Sequence, residues 1–214
     1  MLRLFPIQTS VFVGGLILGL SMLQSAEAQR RGLGGMRPGN VSPARLLTRD
    51  AVQAELRLTE GQKAKAAAIN ETLTAGRHEL FAEVAKDTGK RGPKVAELNR
   101  QAQAGIDKLL NDTQRKRFAE LLLQANGASE LNRKKIREAL GITKEQQRKL
   151  AEVSRANARA RREALADFDG DRVAKMVELQ RAADKRLLGV LTEEQRNRFE
   201  EMQGEKIELN LFAS

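Results

Sequence analysis

The chain has 214 residues, a formal charge of +10, and no Cys, Trp or Tyr. Without cysteine, disulfides and a lipid-modified anchor are both excluded. With Phe as the sole aromatic type, any core must be aliphatic and Ala-rich, as in helices with thin apolar stripes and broad solvated faces.

Met1 to Gln29 has the layout of a secretory signal peptide: Arg3 near the start, thirteen apolar-rich residues from Val11 to Leu23, then Ala26-Glu27-Ala28. Cleavage after Ala28 is predicted, so residues 1–28 are a leader and the mature chain is periplasmic or otherwise exported. The apolar stretch is shorter than the ~20 residues that span a bilayer, so no membrane-spanning segment is expected after cleavage. Residues 29–44, with Arg30, Arg31, four glycines, Pro38 and Pro43, have almost nothing to bury and read as a flexible basic linker.

A short helix is expected from about Thr48 to Glu55, then a long one from Thr59 with Ile69, Leu73, Gly76, Leu80 and Val84 on one stripe. Lys86 to Pro93 turns the chain. Pro93, at a first helical position, opens a return helix carrying Val95, Leu98, Ala102, Ile106 and Leu109. A restart at Asn111 buries Phe118, Leu121 and Leu122 and ends at Asn126-Gly127. The plan then repeats: a short helix from Asn132 to Leu140, and a long one from Thr143 to Phe168 with Leu150, Val153, Ala160, Ala164 and Leu165 inward. After a turn at Asp167 to Asp171, with Asp171 as cap, the return helix is lined by Val173, Met176, Val177, Ala183, Leu187 and Leu188. It restarts at Thr192 and buries Phe199 and Met202. No run of β-branched or aromatic residues with period two appears in the mature chain, so the fold class is all-α.

Four helix starts share one pattern: Leu58-Thr59 with Gln62, Leu110-Asn111 with Gln114, Ile142-Thr143 with Gln146, and Leu191-Thr192 with Gln195. Each is a capping box, in which the Thr or Asn accepts from a free backbone N–H and the Gln three residues on reaches back. The first aligns with the third at a shift of 84 residues and the second with the fourth at 81, and Phe118 falls on Phe199. That spacing predicts a tandem duplication, with units at 45–126 and 127–214 and a longer hairpin turn in the first. Each unit offers two antiparallel helices whose stripes need a partner, the other unit being the nearest candidate.

Leu188 to Phe199, with Leu191-Thr192-Glu193-Glu194-Gln195 followed by basic residues and Phe, resembles the second motif of the LTxxQ-motif periplasmic proteins, the Spy and CpxP family. Leu109 to Phe118 is a weaker copy with Asn in place of Thr. The resemblance covers residues 45 to 204 as two family units. It implies small all-helical envelope-stress proteins that hold unfolded or envelope proteins without ATP, through a concave cradle formed by a homodimer. With two units in one chain, a monomeric pseudo-dimer is the alternative to a homodimer.

Catalysis finds little footing. His78 is the sole histidine and lies mid-helix between Arg77 and Glu79, and the carboxylates are interleaved with Lys and Arg as on a solvated helix face. The metal sensing known among relatives of the LTxxQ family does not carry over, since a transition-metal site needs clustered His, Cys or Met and the mature chain has one His and three Met. Asp167, Asp169, Asp171 and Glu178 hold places one, three, five and twelve of a calcium loop, but Arg172 stands where that loop needs Gly, so a capped hairpin turn is the better reading. No cofactor is expected. Arg148, Arg155, Arg159 and Arg162 share one helix face and form a candidate anion-binding surface, alongside Arg133, Lys134, Lys135 and Arg137 on the preceding helix. Export and the lack of stacking aromatics argue against nucleic acid and leave anionic envelope polymers as candidate partners. The functions expected are therefore an exported non-enzymatic holding protein, a polyanion-binding module, or a helix bundle with one dedicated protein partner.

Overall fold

The computed structural model describes residues 41–83, 91–166 and 168–209. The predicted leader, most of the predicted linker, Val84 and the Lys86 to Lys90 part of the first turn, Asp167, and residues 210–214 lie outside them. Among the described residues the chain forms nine α-helices, one 3-10 helix and no strand.

The first half holds α1 (Pro43–Leu47), α2 (Asp50–Glu55), α3 (Glu60–Glu83), α4 (Arg91–Leu109) and α5 (Asp112–Asn126). The second holds the 3-10 helix (Gly127–Asn132), α6 (Lys134–Ala139), α7 (Lys144–Ala166), α8 (Arg172–Leu188) and α9 (Glu193–Glu201). The first described helix precedes the one expected from Thr48. Ser42 Oγ accepts from the backbone N–H of Arg45 and Pro43 takes the first helical position, so a helix starts inside the predicted linker. The helix expected from about Thr48 to Glu55 is α2, and α1 is a separate helix before it, closed where Thr48 Oγ1 donates to the carbonyl of Arg45 at 2.9 Å. Pro93 is the third residue of α4 rather than its first, a position where the missing N–H is still one of the helix's free donors.

α3 packs against α4, and α7 against α8, as two hairpins. Their stripes find partners within each half: α1 lies against α3, α4 and α5, and the 3-10 helix against α7, α8 and α6. The expectation that each hairpin would bury its stripe on the other therefore gives way to short basal helices that fill that role. One core gathers Leu46, Leu47, Val52, Ile106, Phe118 and Leu121, and the other Leu131, Leu140, Leu150, Leu187 and Phe199. Helix α5 serves both, since Leu121 and Leu122 enter the first core and Leu123 the second. Val173, expected to line α8, is exposed instead.

Polar contacts bind both ends of the described chain to α5. Asn126 accepts from Val41 N–H at 2.6 Å and donates to its carbonyl at 3.2 Å. Gln124 donates to the carbonyls of Gln203 and Glu205 and accepts from Ile207 N–H, which seats Ile207 and Leu209 on the first core. Arg117 joins three segments by reaching Glu55 of α2, Glu120 of α5 and the carbonyl of Glu205, each at 2.7 Å.

Helices α2 and α6 end alike. Leu58 N–H donates to Gln53 O and Arg57 N–H to Ala54 O, and the same pair recurs from Ile142 to Arg137 and from Gly141 to Glu138. These are the two bonds of a Schellman cap, which needs its first residue beyond the cap in the left-handed region. Gly141 adopts φ 62° at no steric cost, whereas Arg57 is held at φ 48°, where an L side chain crowds its carbonyl. Replacing Arg57 by Gly should raise the unfolding free energy by about 1 kcal/mol, measured by urea titration followed by far-ultraviolet circular dichroism. Gly141→Arg should lower it by a similar amount.

Candidate functional site

All four capping boxes are formed. The backbone N–H groups of Gln62, Gln114, Gln146 and Gln195 donate to Thr59, Asn111, Thr143 and Thr192 at 3.3, 2.9, 3.1 and 3.2 Å. In return each Gln Oε1 accepts from the backbone N–H of its cap residue at 3.0 to 3.1 Å. The preceding Leu58, Leu110, Ile142 and Leu191 are all buried, each pinning its cap to a core.

The glutamines also meet one another. Gln62 Nε2 donates to Gln114 Oε1 at 3.0 Å, and Gln114 Nε2 returns the bond at 3.4 Å. Gln146 and Gln195 do the same at 2.7 and 3.2 Å. The second N–H of each amide goes to a helix-end carbonyl: Gln62 to Leu109, Gln114 to Leu56, Gln146 to Val190 and Gln195 to Leu140. An amide has two donors and two acceptor sites, and here all four are used. Each pair of glutamines therefore satisfies two helix starts and two helix ends at once, at the base of one hairpin. The acceptors Leu56 and Leu140 differ by 84 residues, and Leu109 and Val190 by 81, the same shifts that relate the motifs.

Further out, Arg77 donates to Asn99 at 2.7 Å and Arg161 to Gln180 at 3.1 Å, again at corresponding positions. The seams around them differ. Leu73 is buried in the first hairpin, whereas Asn157 stands 84 residues later and bonds Ala183 O and Arg186.

Two carboxylates not singled out from the sequence meet at the 3-10 helix, buried Glu130 within it and half-buried Asp184 on α8 beside it. Glu130 accepts from Asn126 and pairs with Arg133 at 2.9 Å. Asp184 accepts from Ala128 N–H and from Gln180. Burial pushes both carboxyls above their ordinary range, opposed by Arg133 and Asn126 at Glu130, and by Gln180, Ala128 N–H and Arg161 at Asp184. The signal was present, since Glu130 aligns with Leu46, a charge in a register the first half fills with an apolar residue.

Arg148, Arg155, Arg159 and Arg162 are exposed on α7, and His78 is exposed on α3. Asp171 caps α8 through Val173 and Ala174 N–H at 2.9 and 3.1 Å, and Glu178 pairs with Lys175. Both carboxylates thus already serve the hairpin. Among the described residues no group of three or more His, Cys, Asp or Glu is placed to hold a metal ion, and no helix is long and apolar enough to cross a membrane. The chain matches no family model, no curated protein and no solved structure.

The clasp separates two mutational effects. Thr192→Ala removes one cap bond and should cost about 1 kcal/mol. Gln195→Ala, which also strips bonds from Leu140 O and Gln146, should cost about 2 kcal/mol. Urea titration of the two variants measures the difference, and equal losses would mean the inter-glutamine bonds contribute nothing.

Asp184 gives a pH signature of known sign. Its folded pKa lies above the unfolded value, so the native state holds more protons between them and the stability tied to this group falls as pH rises through that window. Asp184→Asn should therefore compare best with the parent at neutral pH. Its relative advantage should shrink as pH drops through the raised pKa, as followed by urea midpoints across the acid range.

Proposed function

We propose that this chain is an exported, non-enzymatic holding protein built from two tandem LTxxQ-type hairpin units of the Spy and CpxP kind. It captures unfolded or partly folded polypeptide on apolar side chains at its hairpin tips, without ATP. The observation that carries the reading is the contrast between the clasped bases and large apolar side chains exposed far from them. Phe81, near the end of α3, is 57% exposed, and Val173, at the start of α8, is 36% exposed. Leu165, Phe168, Met176 and Val177 beside the second turn are half-buried. Large apolar groups partly exposed on helices that are otherwise charged favour weak contact with varied segments over a fixed pocket.

The family reading is supported by the four boxes and by the recurrence of their bonds at the two shifts. A long hairpin suits the role mechanically, because α3 with 24 residues extends about 36 Å and carries Phe81 away from the clasped base. A dedicated protein partner would use the same tips, but with one saturable ligand.

The test is light scattering of an unrelated aggregating protein with and without the mature chain, at low and high salt. Suppression that persists in high salt is expected, because apolar contact is little screened. Phe81→Ser combined with Val173→Ser should weaken it several-fold at unchanged helicity. Absence of suppression by the parent chain at any salt would sink the holding function.

A further inference from the structure

Lys144, Arg148, Arg155, Arg159 and Arg162 of α7 follow one another at steps of four, seven, four and three residues and are all exposed. At about 100° per residue these steps confine them to an arc of about 60° and a row about 27 Å long. None of the five forms an ion pair or side-chain hydrogen bond among the described residues. Arg161, by contrast, turns inward to Gln180, so the row does not include every basic residue of the helix.

The first half supplies an internal control. Eighty-four residues earlier the same positions on α3 hold Glu60, Ala64, Glu71, Ala75 and His78. Both helices begin at a clasped capping box and pack on a return helix, so nothing in the fold demands cations on this face. Over the wider aligned segments the contrast persists, with eleven Lys and Arg against three Asp and Glu in residues 133–162, but five against four in residues 49–78. Solubility alone does not account for placing the charge on one half.

The row's width selects among anions. Glu145, Glu152 and Glu163 run beside it, rotated by about 20° to 100° from its members, and they would meet the head groups of any flat anionic bilayer pressed against this face. The row also offers no large apolar edge to insert among acyl chains, since the apolar residues beside it, Ala151 and Ala158, are small. A nucleic acid strand would find no aromatic ring on the row for stacking. An extended polymer can follow a narrow line of guanidinium forks that pair with carboxylates in a planar, bidentate fashion.

We propose that this face of α7 is a docking surface for an extended acidic polysaccharide, whose carboxylates lie along Lys144, Arg148, Arg155, Arg159 and Arg162. The surface does not rest on the holding activity above and uses none of its residues.

Immobilised alginate, a polymer of uronic acids, is the probe, and the mature full chain is the analyte over a range of salt concentrations. Binding should be measurable at low salt and decline steadily as salt rises. The fourfold variant Arg148→Gln, Arg155→Gln, Arg159→Gln and Arg162→Gln should bind about tenfold more weakly or worse, with unchanged circular dichroism. A second variant adds Ala64→Arg, Glu71→Arg, Ala75→Arg and His78→Arg to that background. It should recover binding, because it rebuilds the row on the matching helix. The proposal is overturned if the fourfold variant binds like the parent, or if the parent does not bind at low salt. It is equally overturned if the parent prefers anionic phospholipid vesicles or single-stranded DNA to alginate at the same ionic strength.

Discussion

The amide-to-amide contact between Gln62 and Gln114, repeated by Gln146 and Gln195, sets the geometry of everything around it. A helical hairpin leaves eight backbone groups unpaired at its base, and short helices abutting that base add more. Two glutamines dispose of the critical ones in a single stroke, because each amide faces a cap nitrogen, a foreign carbonyl and its twin. The arrangement is directional, so it fixes which helix start faces which helix end. The leucines and isoleucines before the caps then convert this polar order into burial. Hydrophobic area supplies the larger share of stability, but the clasp decides how that area is arranged.

With both bases built the same way, the two halves diverge above them. The first hairpin is zipped by Leu73, Leu80 and Ile106. The second has Asn157 in place of Leu73, bonded to Ala183 O and Arg186, and ties Asp184 to Gln180 and to Ala128 N–H. Polar seams of this kind give less net stabilisation per contact than apolar ones, and they place ionisable groups where burial resists their charge. One half is thus the better-packed element and the other the more responsive to its surroundings. Helix α5 keeps them coupled, since it supplies residues to both cores and anchors both ends of the described chain.

Much of this was legible in the residues. The capping boxes, the shifts of 84 and 81, the all-helical class and the buried Leu73, Leu80, Ile106, Phe118, Leu150, Leu187 and Phe199 follow from local chemistry, because a Thr or Asn with Gln three residues on has few other uses at the head of an apolar stripe. The pairing of the glutamines across about fifty residues was not, because a local motif does not state which other motif it faces. Nor was the role of α1 and the 3-10 helix as fillers of the hairpin bases. Ser42-Pro43 carries a start signal, yet it sits at the end of a Gly- and Pro-rich segment that outweighed it. Glu130 and Asp184 do not stand out in the sequence because charged residues on helices are ordinarily solvated, and only tertiary placement buries the first and half-buries the second.

The clasp has a chemical weakness that packing does not share. Hydrolysis of a glutamine amide replaces Nε2 by a second oxygen, and at Gln62 that oxygen would confront Leu109 O and Gln114 Oε1, two acceptors with no proton between them. Glutamine is among the thermolabile residues that proteins from hot environments use sparingly, and here four of them hold the bases together. Conversion of any one of these four amides to a carboxylate would therefore remove a donor that the base depends on. A single deamidation would turn a neutral, fully bonded junction into a site of repulsion from which the hairpin begins to open.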